Sequence, residues 1–173
     1  ALGISQWNFN ITGASAYWAL ADATKLPFHT DRFNLVTSIG LYEHLEPWQI
    51  DACIAEQRRV LAPGGWSVAL VVPHKDSIQT PFMRNKDYHR IEAGPEAYIA
   101  LYAGNGFDNV SYYWVNYLPL IYCQPWQERW LVYLYRFIYA VRKPWQKWPF
   151  EASERWAQAF WIVGQKPATP VSL

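Results

Sequence analysis

The sequence predicts an α/β fold in which strands of a mostly parallel sheet alternate with helices. Three observations within residues 17–65 carry this prediction. An apolar run ends at Asp22, a second, β-rich run covers Phe33–Ile39, and an amphipathic helix follows. This alternation is typical of βαβ units. Ligands bind beyond the carboxyl ends of the strands in such sheets, so we expect the functional site near Asp22, Ser38 and Pro73.

The length and composition favour a single domain over residues 1–173. The chain has 15 basic and 14 acidic residues, so its charge indicates no nucleic-acid partner. Cys53 and Cys123 are too few for a disulfide framework, which favours a reducing, cytoplasmic location. No apolar run approaches the roughly 20 residues of a membrane-spanning helix.

The first half of the chain gives clear strand and helix signals. We predict strands at residues 16–21 and 33–39, separated by a connector in which Pro27 disfavours helix at the preceding residue. A helix is predicted from Pro47, and its apolar stripe follows helical spacing. The stripe consists of Ile50, Cys53, Ile54, Gln57, Val60 and Leu61. Arg59 is assigned to the solvated face.

The rest of the chain contains four further predicted elements and a loop. Pro63-Gly64-Gly65 is predicted to end the helix, and residues 66–72 form the next buried strand. Residues 74–91 are polar and are predicted to form a lid or substrate loop. A helix is predicted at 95–104, followed by strands at 107–117 and 156–164.

The aromatic content is unusual, at 18% of residues, and much of it lies in a predicted insertion at about 117–150. This segment could line a pocket for a large apolar molecule such as a quinone, sterol or lipid. Residues 126–148 could instead contact a membrane surface, where Trp and Tyr with flanking basic residues are favoured. The third interpretation is a core or homodimer interface.

Four motifs carry a resemblance to a known family. They are residues 21–28 (ADATKLPF), 33–36 (FNLV), 43–44 (EH) and 59–65 (RVLAPGG). In this order and spacing they resemble class I S-adenosylmethionine-dependent methyltransferases of the small-molecule and lipid group. The resemblance implies a Rossmann-like sheet that is mostly parallel, with an antiparallel C-terminal strand.

The sequence departs from that family at its start. The family opens with a strand and a glycine-rich loop for the cofactor, then a strand with an acidic residue, and neither pattern precedes Asp22. We therefore expect an N-terminally truncated methyltransferase domain that lacks the first strands of the sheet.

The resemblance implies two sets of residues for binding S-adenosylmethionine. Asp22, Ala23 and Thr24 would meet the adenine, because a carboxylate accepts from the exocyclic amine and the next N–H donates to a ring nitrogen. The alternative is that Asp22 caps the following turn. A second set, Ser38, Ile39 and Gly40, would lie beside the methionine part, where small residues leave room.

Glu43 and His44 follow the second strand, where an acceptor should enter. His44 is the candidate catalytic base because its ordinary pKa is near neutrality. A structural histidine is the alternative. The remaining histidines, His29, His74 and His89, have no ligand-like spacing, so we expect no metal site.

The leading hypothesis is methyl transfer by in-line displacement from S-adenosylmethionine to a small, apolar, lipid-like acceptor. The alternative is a non-catalytic module of the same fold that binds a partner or a membrane surface. A dehydrogenase is a third possibility, weakened because its glycine-rich fingerprint is absent. The predicted location is cytoplasmic, with peripheral membrane contact as an option.

Overall fold

The structure of the chain is a computed structural model that describes residues 16–72, 94–115, 157 and 159–168, together with Tyr133 and Phe137. In chain order the elements are β1 (Phe33–Ile39), a 3-10 turn (Tyr42–His44), α1 (Pro47–Val60), β2 (Leu61–Val71), α2 (Pro95–Gly104), β3 (Asp108–Val115) and β4 (Ala159–Gln165).

The strands form one sheet in the order β1-β2-β4-β3. β1 and β2 are parallel, whereas β4 runs antiparallel to both β2 and β3. Three strands therefore point one way and the C-terminal strand opposes them, which confirms the predicted fold class. β1 lies at an edge, and no strand precedes it in the described part of the chain.

Helix α1 begins as predicted. Pro47 occupies its first turn, where the missing proline N–H is not needed, and Glu46 and Gln49 form a capping box. The side chains of the predicted stripe are all buried, from Ile50 to Leu61. Each large aliphatic member stabilises the packing of α1 on the sheet by roughly 1.5–3 kcal/mol.

The predicted turn after α1 lies inside β2. Leu61 takes extended backbone angles directly after the helix. Pro63, Gly64 and Gly65 then fall where the register between β1 and β2 shifts, and Gly64 has a φ of 79°. A glycine tolerates this left-handed conformation without steric cost. The strand therefore starts earlier than the predicted residues 66–72.

Helix α2 has the predicted bounds and buries two tyrosines, Tyr98 and Tyr102. Tyr102 packs against β4 at Gly164, where a Cβ atom would lie 2.7 Å from Tyr102 Cδ1. The ring of Tyr98 contacts Phe160 of the same strand. Absence of a side chain at Gly164 therefore lets the helix approach the sheet closely.

The strand predicted at residues 16–21 is wrong. These residues have no regular secondary structure, and Tyr17 and Leu20 are 105% and 90% exposed. An extended run becomes a strand only when its backbone groups pair with a neighbour. No described strand lies beside it, so its apolar pattern is not sufficient.

The two last predicted strands are confirmed as β3 and β4, with ends that differ by a few residues. The predicted loop at 74–91 lies outside the described residues. So does the aromatic segment 117–150, except for Tyr133 and Phe137, which are helical and exposed. No helix within the described residues is long and apolar enough to cross a membrane.

Candidate functional site

The carboxyl end of β1 carries the residues predicted to lie beside the methionine part of the cofactor. Ser38 is buried, whereas Ile39 is 65% exposed. Gly40 follows with a φ of 64°, a conformation that residues with a Cβ rarely adopt. A Cβ at Gly40 would also lie 3.3 Å from Glu43 Oε1. The glycine therefore turns the chain sharply and leaves space at the strand end.

Asp22 caps a turn, as the alternative interpretation predicts. Its Oδ1 accepts hydrogen bonds from the backbone N–H and the hydroxyl of Thr24, both at 2.8 Å. These bonds, with the backbone bond as the larger cause, lower the pKa of Asp22. Oδ2 accepts no hydrogen bond from the described residues. The turn therefore holds an ionised carboxylate with one oxygen open.

The two predicted cofactor segments flank the same hydrophobic cluster, whose buried members include Tyr42, Cys53 and Ile54. Ala23, beside Asp22, packs against that cluster, and so does Leu41, which follows Gly40. Asp22 is also close enough to Cys53 of α1 for its charge to raise the pKa of the buried thiol, after the larger effect of burial. Helix α1 therefore supports both segments.

Arg59 holds the connector that follows Asp22, a role that its assignment to the solvated face did not predict, although its side chain is 35% exposed. Its guanidinium binds both carboxylate oxygens of Glu56, at 2.7 and 2.8 Å. It also donates to the carbonyl oxygens of Leu26 and Phe28, at 3.0 and 2.8 Å. Glu56 Oε2 in turn accepts from the Leu26 N–H at 2.8 Å.

The two side chains thus attach the connector to α1 through three hydrogen bonds to its backbone, and two further hydrogen bonds join Glu56 and Arg59 to each other. Sequence reasoning missed this contact. The only available signal was the i, i+3 spacing of Glu56 and Arg59, which predicts an ion pair but not its backbone partners.

A closed ring of hydrogen bonds lies beneath the site. Ser67 Oγ donates to Gln57 Oε1 at 2.6 Å, and Gln57 Nε2 donates to Tyr42 OH at 3.0 Å. Tyr42 OH lies 3.1 Å from Tyr102 OH, which lies 3.3 Å from Ser67 Oγ. All four side chains are buried.

The direction of the ring follows from the hydroxyl protons. Ser67 has one proton and donates it to Gln57, so Tyr102 must donate to Ser67 and Tyr42 to Tyr102. Burial is the main reason that the pKa values of Tyr42 and Tyr102 are raised, so both phenols keep their protons. The ring connects the 3-10 turn, α1, β2 and α2, and it fixes Tyr42 beside the strand end.

The residues after β1 differ sharply in environment. His44 is exposed, and its backbone N–H bonds to the Leu41 carbonyl at 3.0 Å. Glu43 is only 3% exposed, and burial raises its pKa. The structure thus places both at the end of β1, but it is the carboxylate, and not the imidazole, that points into the protein.

Glu43 faces a second buried polar group. The charge of Glu43 contributes, after burial, to a raised pKa of Tyr98, which is 1% exposed. Neither Glu43 Oε2 nor Tyr98 OH has a hydrogen-bond partner within the described part of the chain. Among those same residues there is no group of three or more side chains suited to a metal ion.

Comparison with known proteins identifies the first part of the chain. Residues 2–65 match a family model described as a methyltransferase domain. No curated protein matches the chain. The matched span includes Asp22, Gly40 and Arg59.

Solved structures share the fold at low sequence identity. A SAM-dependent methyltransferase from Archaeoglobus fulgidus is 14% identical with a TM-score of 0.57, over 86% of this chain and 66% of that one. The [4+2]-cyclase SpnF is 15% identical with a TM-score of 0.64, over 96% and 62%. Phosphoethanolamine N-methyltransferase 2 of Haemonchus contortus, solved with S-adenosyl-L-methionine, is 16% identical with a TM-score of 0.52, over 84% and 36%.

The chain spans 66% or less of the length of these three structures. At such identities their likeness establishes the fold, and the presence of a cyclase among them shows that the fold supports more than one reaction. The resemblance predicted from the sequence is confirmed for the fold: residues 2–65 match a methyltransferase-domain model, and the described residues share their fold with a solved SAM-dependent methyltransferase.

Proposed function

We propose that this protein transfers a methyl group from S-adenosylmethionine to a small-molecule acceptor. The observation that carries the proposal is the match of residues 2–65 to the methyltransferase-domain model. That span includes both predicted cofactor segments, 22–24 and 38–40. The Haemonchus contortus enzyme, which shares the fold, was solved with the same cofactor.

The turn at Asp22 would hold the adenine. Its Oδ1 is occupied by Thr24, so the open Oδ2 would accept from the exocyclic amine. The lowered pKa keeps this carboxylate ionised, which strengthens a hydrogen bond to it. The Glu56–Arg59 pair would act indirectly, because it fixes the connector after the turn.

The end of β1 would hold the methionine part of the cofactor. Gly40 leaves space there, and Ser38 anchors the strand end in the protein. When bound, the cofactor supplies an activated methyl group on a sulfonium. The role of the protein is then to align the acceptor with that methyl group and to exclude water, since methyl transfer depends mainly on positioning.

The acceptor in this proposal is small, apolar and lipid-like in chemistry. The support is the aromatic content of residues 117–150. The same composition supports a second role, in which the protein is cytoplasmic and residues 126–148 contact a membrane surface. It equally supports a homodimer contact. Vesicle sedimentation and analytical ultracentrifugation would separate these two roles.

Binding of S-adenosylmethionine and S-adenosylhomocysteine, measured by calorimetry, tests the proposal. We expect the chain to bind both, and Asp22→Asn to weaken binding about tenfold, the effect of losing one hydrogen bond to a charged group. Asp108→Asn makes the same chemical change at an exposed position on β3 and should leave affinity unchanged. No binding either by this chain or by one extended upstream by about 70 residues, the scale of a βαβαβ half, would favour the non-catalytic module.

A further inference from the structure

The pair formed by Glu43 and Tyr98 needs an explanation. Buried polar groups almost always have hydrogen-bond partners, because a buried unpaired carboxylate or phenol costs free energy. Glu43 Oε2 and Tyr98 OH have none among the described residues, although both side chains are almost fully buried. A ligand that supplies the missing partners would remove this cost.

The surrounding contacts hold both groups in place. Tyr42, next to Glu43, belongs to the hydrogen-bonded ring and stacks on Tyr98 with centroids 5.8 Å apart. Tyr102, one turn after Tyr98 on α2, belongs to the same ring. Tyr98 also packs edge-on against Phe160. The two unpaired atoms are therefore presented by a rigid framework, as a binding site requires.

The pair also lies beside the reacting end of the cofactor in the function proposed above. Glu43 Oε1 is close to Gly40, which would border the methionine part. We propose that Glu43 and Tyr98 form the subsite for the reacting group of the acceptor, and that this group is a hydroxyl. This inference rests on the proposed function and names the acceptor class for the same site.

The hydrogen-bonding capacity of the pair favours a hydroxyl over an amine. A hydroxyl can donate its proton to Glu43, accept from Tyr98 with one lone pair and attack with the other. A neutral amine has a single lone pair, which must remain free for the attack. A phenol donor at Tyr98 would block it. The pair therefore suits an alcohol, phenol or enol.

The reaction balances with these groups. An oxygen lone pair of the acceptor forms the new O–CH₃ bond as the C–S bond breaks. The two electrons of the C–S bond remain on the sulfur of S-adenosylhomocysteine. The acceptor proton passes to the Glu43 carboxylate, which becomes a carboxylic acid and returns the proton to water after product release. The titratable groups that interact electrostatically with Glu43 are His44 on its own turn and the neutral phenol of Tyr98 on α2. Burial, which raises the pKa of Glu43, makes it a stronger base.

Binding of three matched probes tests the subsite. In the presence of S-adenosylhomocysteine, we expect 2-naphthol to bind about tenfold more tightly than either of the other two probes. These are 2-methoxynaphthalene, which cannot donate a hydrogen bond, and 2-naphthylamine. Glu43→Gln should remove most of the preference over 2-methoxynaphthalene, because that preference depends on donation to the carboxylate. Tyr98→Phe should remove most of the preference over 2-naphthylamine, whose nitrogen is a poor acceptor of the phenol proton. Glu96→Gln is the matched control, because Glu96 is exposed on the same helix as Tyr98.

The outcomes separate this inference from the proposed function. If S-adenosylhomocysteine binds but the three probes bind equally, or the variants keep the preference for 2-naphthol, the subsite is refuted and the methyltransferase proposal stands. A preference for 2-naphthylamine would refute the hydroxyl assignment. If S-adenosylhomocysteine does not bind, both fail. Circular dichroism spectra confirm that each variant is folded.

Discussion

Replacement of Gln57 by Leu should destabilise the protein strongly, although the two side chains are similar in size. The substitution removes the hydrogen bonds to Ser67 and Tyr42, which are 2.6 and 3.0 Å long. It also leaves the Ser67 proton without an acceptor in a buried position. Two lost bonds and one stranded donor, at about 1 kcal/mol each, give a loss of about 3 kcal/mol.

Urea denaturation followed by tryptophan fluorescence measures this loss by linear extrapolation. A second substitution, Ser67→Ala, removes the stranded hydroxyl, so the double variant should recover about 1 kcal/mol relative to the sum of the two single losses. A Gln57→Leu variant within about 0.5 kcal/mol of the natural protein would refute the view that the ring stabilises the fold. Strict additivity in the double variant would refute the closed connection between the two residues.

Three further predictions concern single positions. Gly164→Ala should cost about 1–3 kcal/mol in urea denaturation, because the new methyl group would overlap the ring of Tyr102, whereas Gly104→Ala meets open space and should not. Gly40→Ala should cost about 1–2 kcal/mol through its positive φ and should weaken S-adenosylhomocysteine binding in calorimetry. The pKa of Glu43 is raised in the folded state, so the protonated side chain contributes to stability below pH 4.5. This contribution is lost as the pH rises through the pKa that Glu43 has in the folded protein. Glu43→Gln should therefore gain stability relative to the natural protein between acidic and neutral pH, and an identical pH profile of the two would contradict this.

The sequence predicted the elements whose signals are local. The bounds of α2 and the start of α1 were correct because Pro95 and Pro47 fit a first helical turn. In α1 the apolar spacing that follows is also regular. Residues 16–21 failed because a strand depends on a partner elsewhere in the chain, which a local pattern does not report.

The end of β1 before Gly40 and a turn after Asp22 were predicted, but the strand expected before Asp22 is absent from residues 16–21. The hydrogen-bonded ring could not be foreseen, because Tyr42, Gln57, Ser67 and Tyr102 come from four elements and no spacing connects them. The sequence analysis named His44 as the candidate base, whereas Glu43 is the buried side chain of the two. The packing of Tyr42 against α2 shows which side chain turns inward, and no local pattern reports that packing.

The position of β4 between β2 and β3 has a consequence for synthesis of the protein. Trp66 pairs with Gln165, so the contact closes a loop of roughly a hundred residues, and such distant pairing slows folding. β3 leaves the ribosome before the strand that joins it to the rest of the described sheet. Until β4 arrives, the edges of β2 and β3 that it later covers are sites where another chain can pair. Chaperone dependence should therefore be greatest between the synthesis of β3 and that of β4.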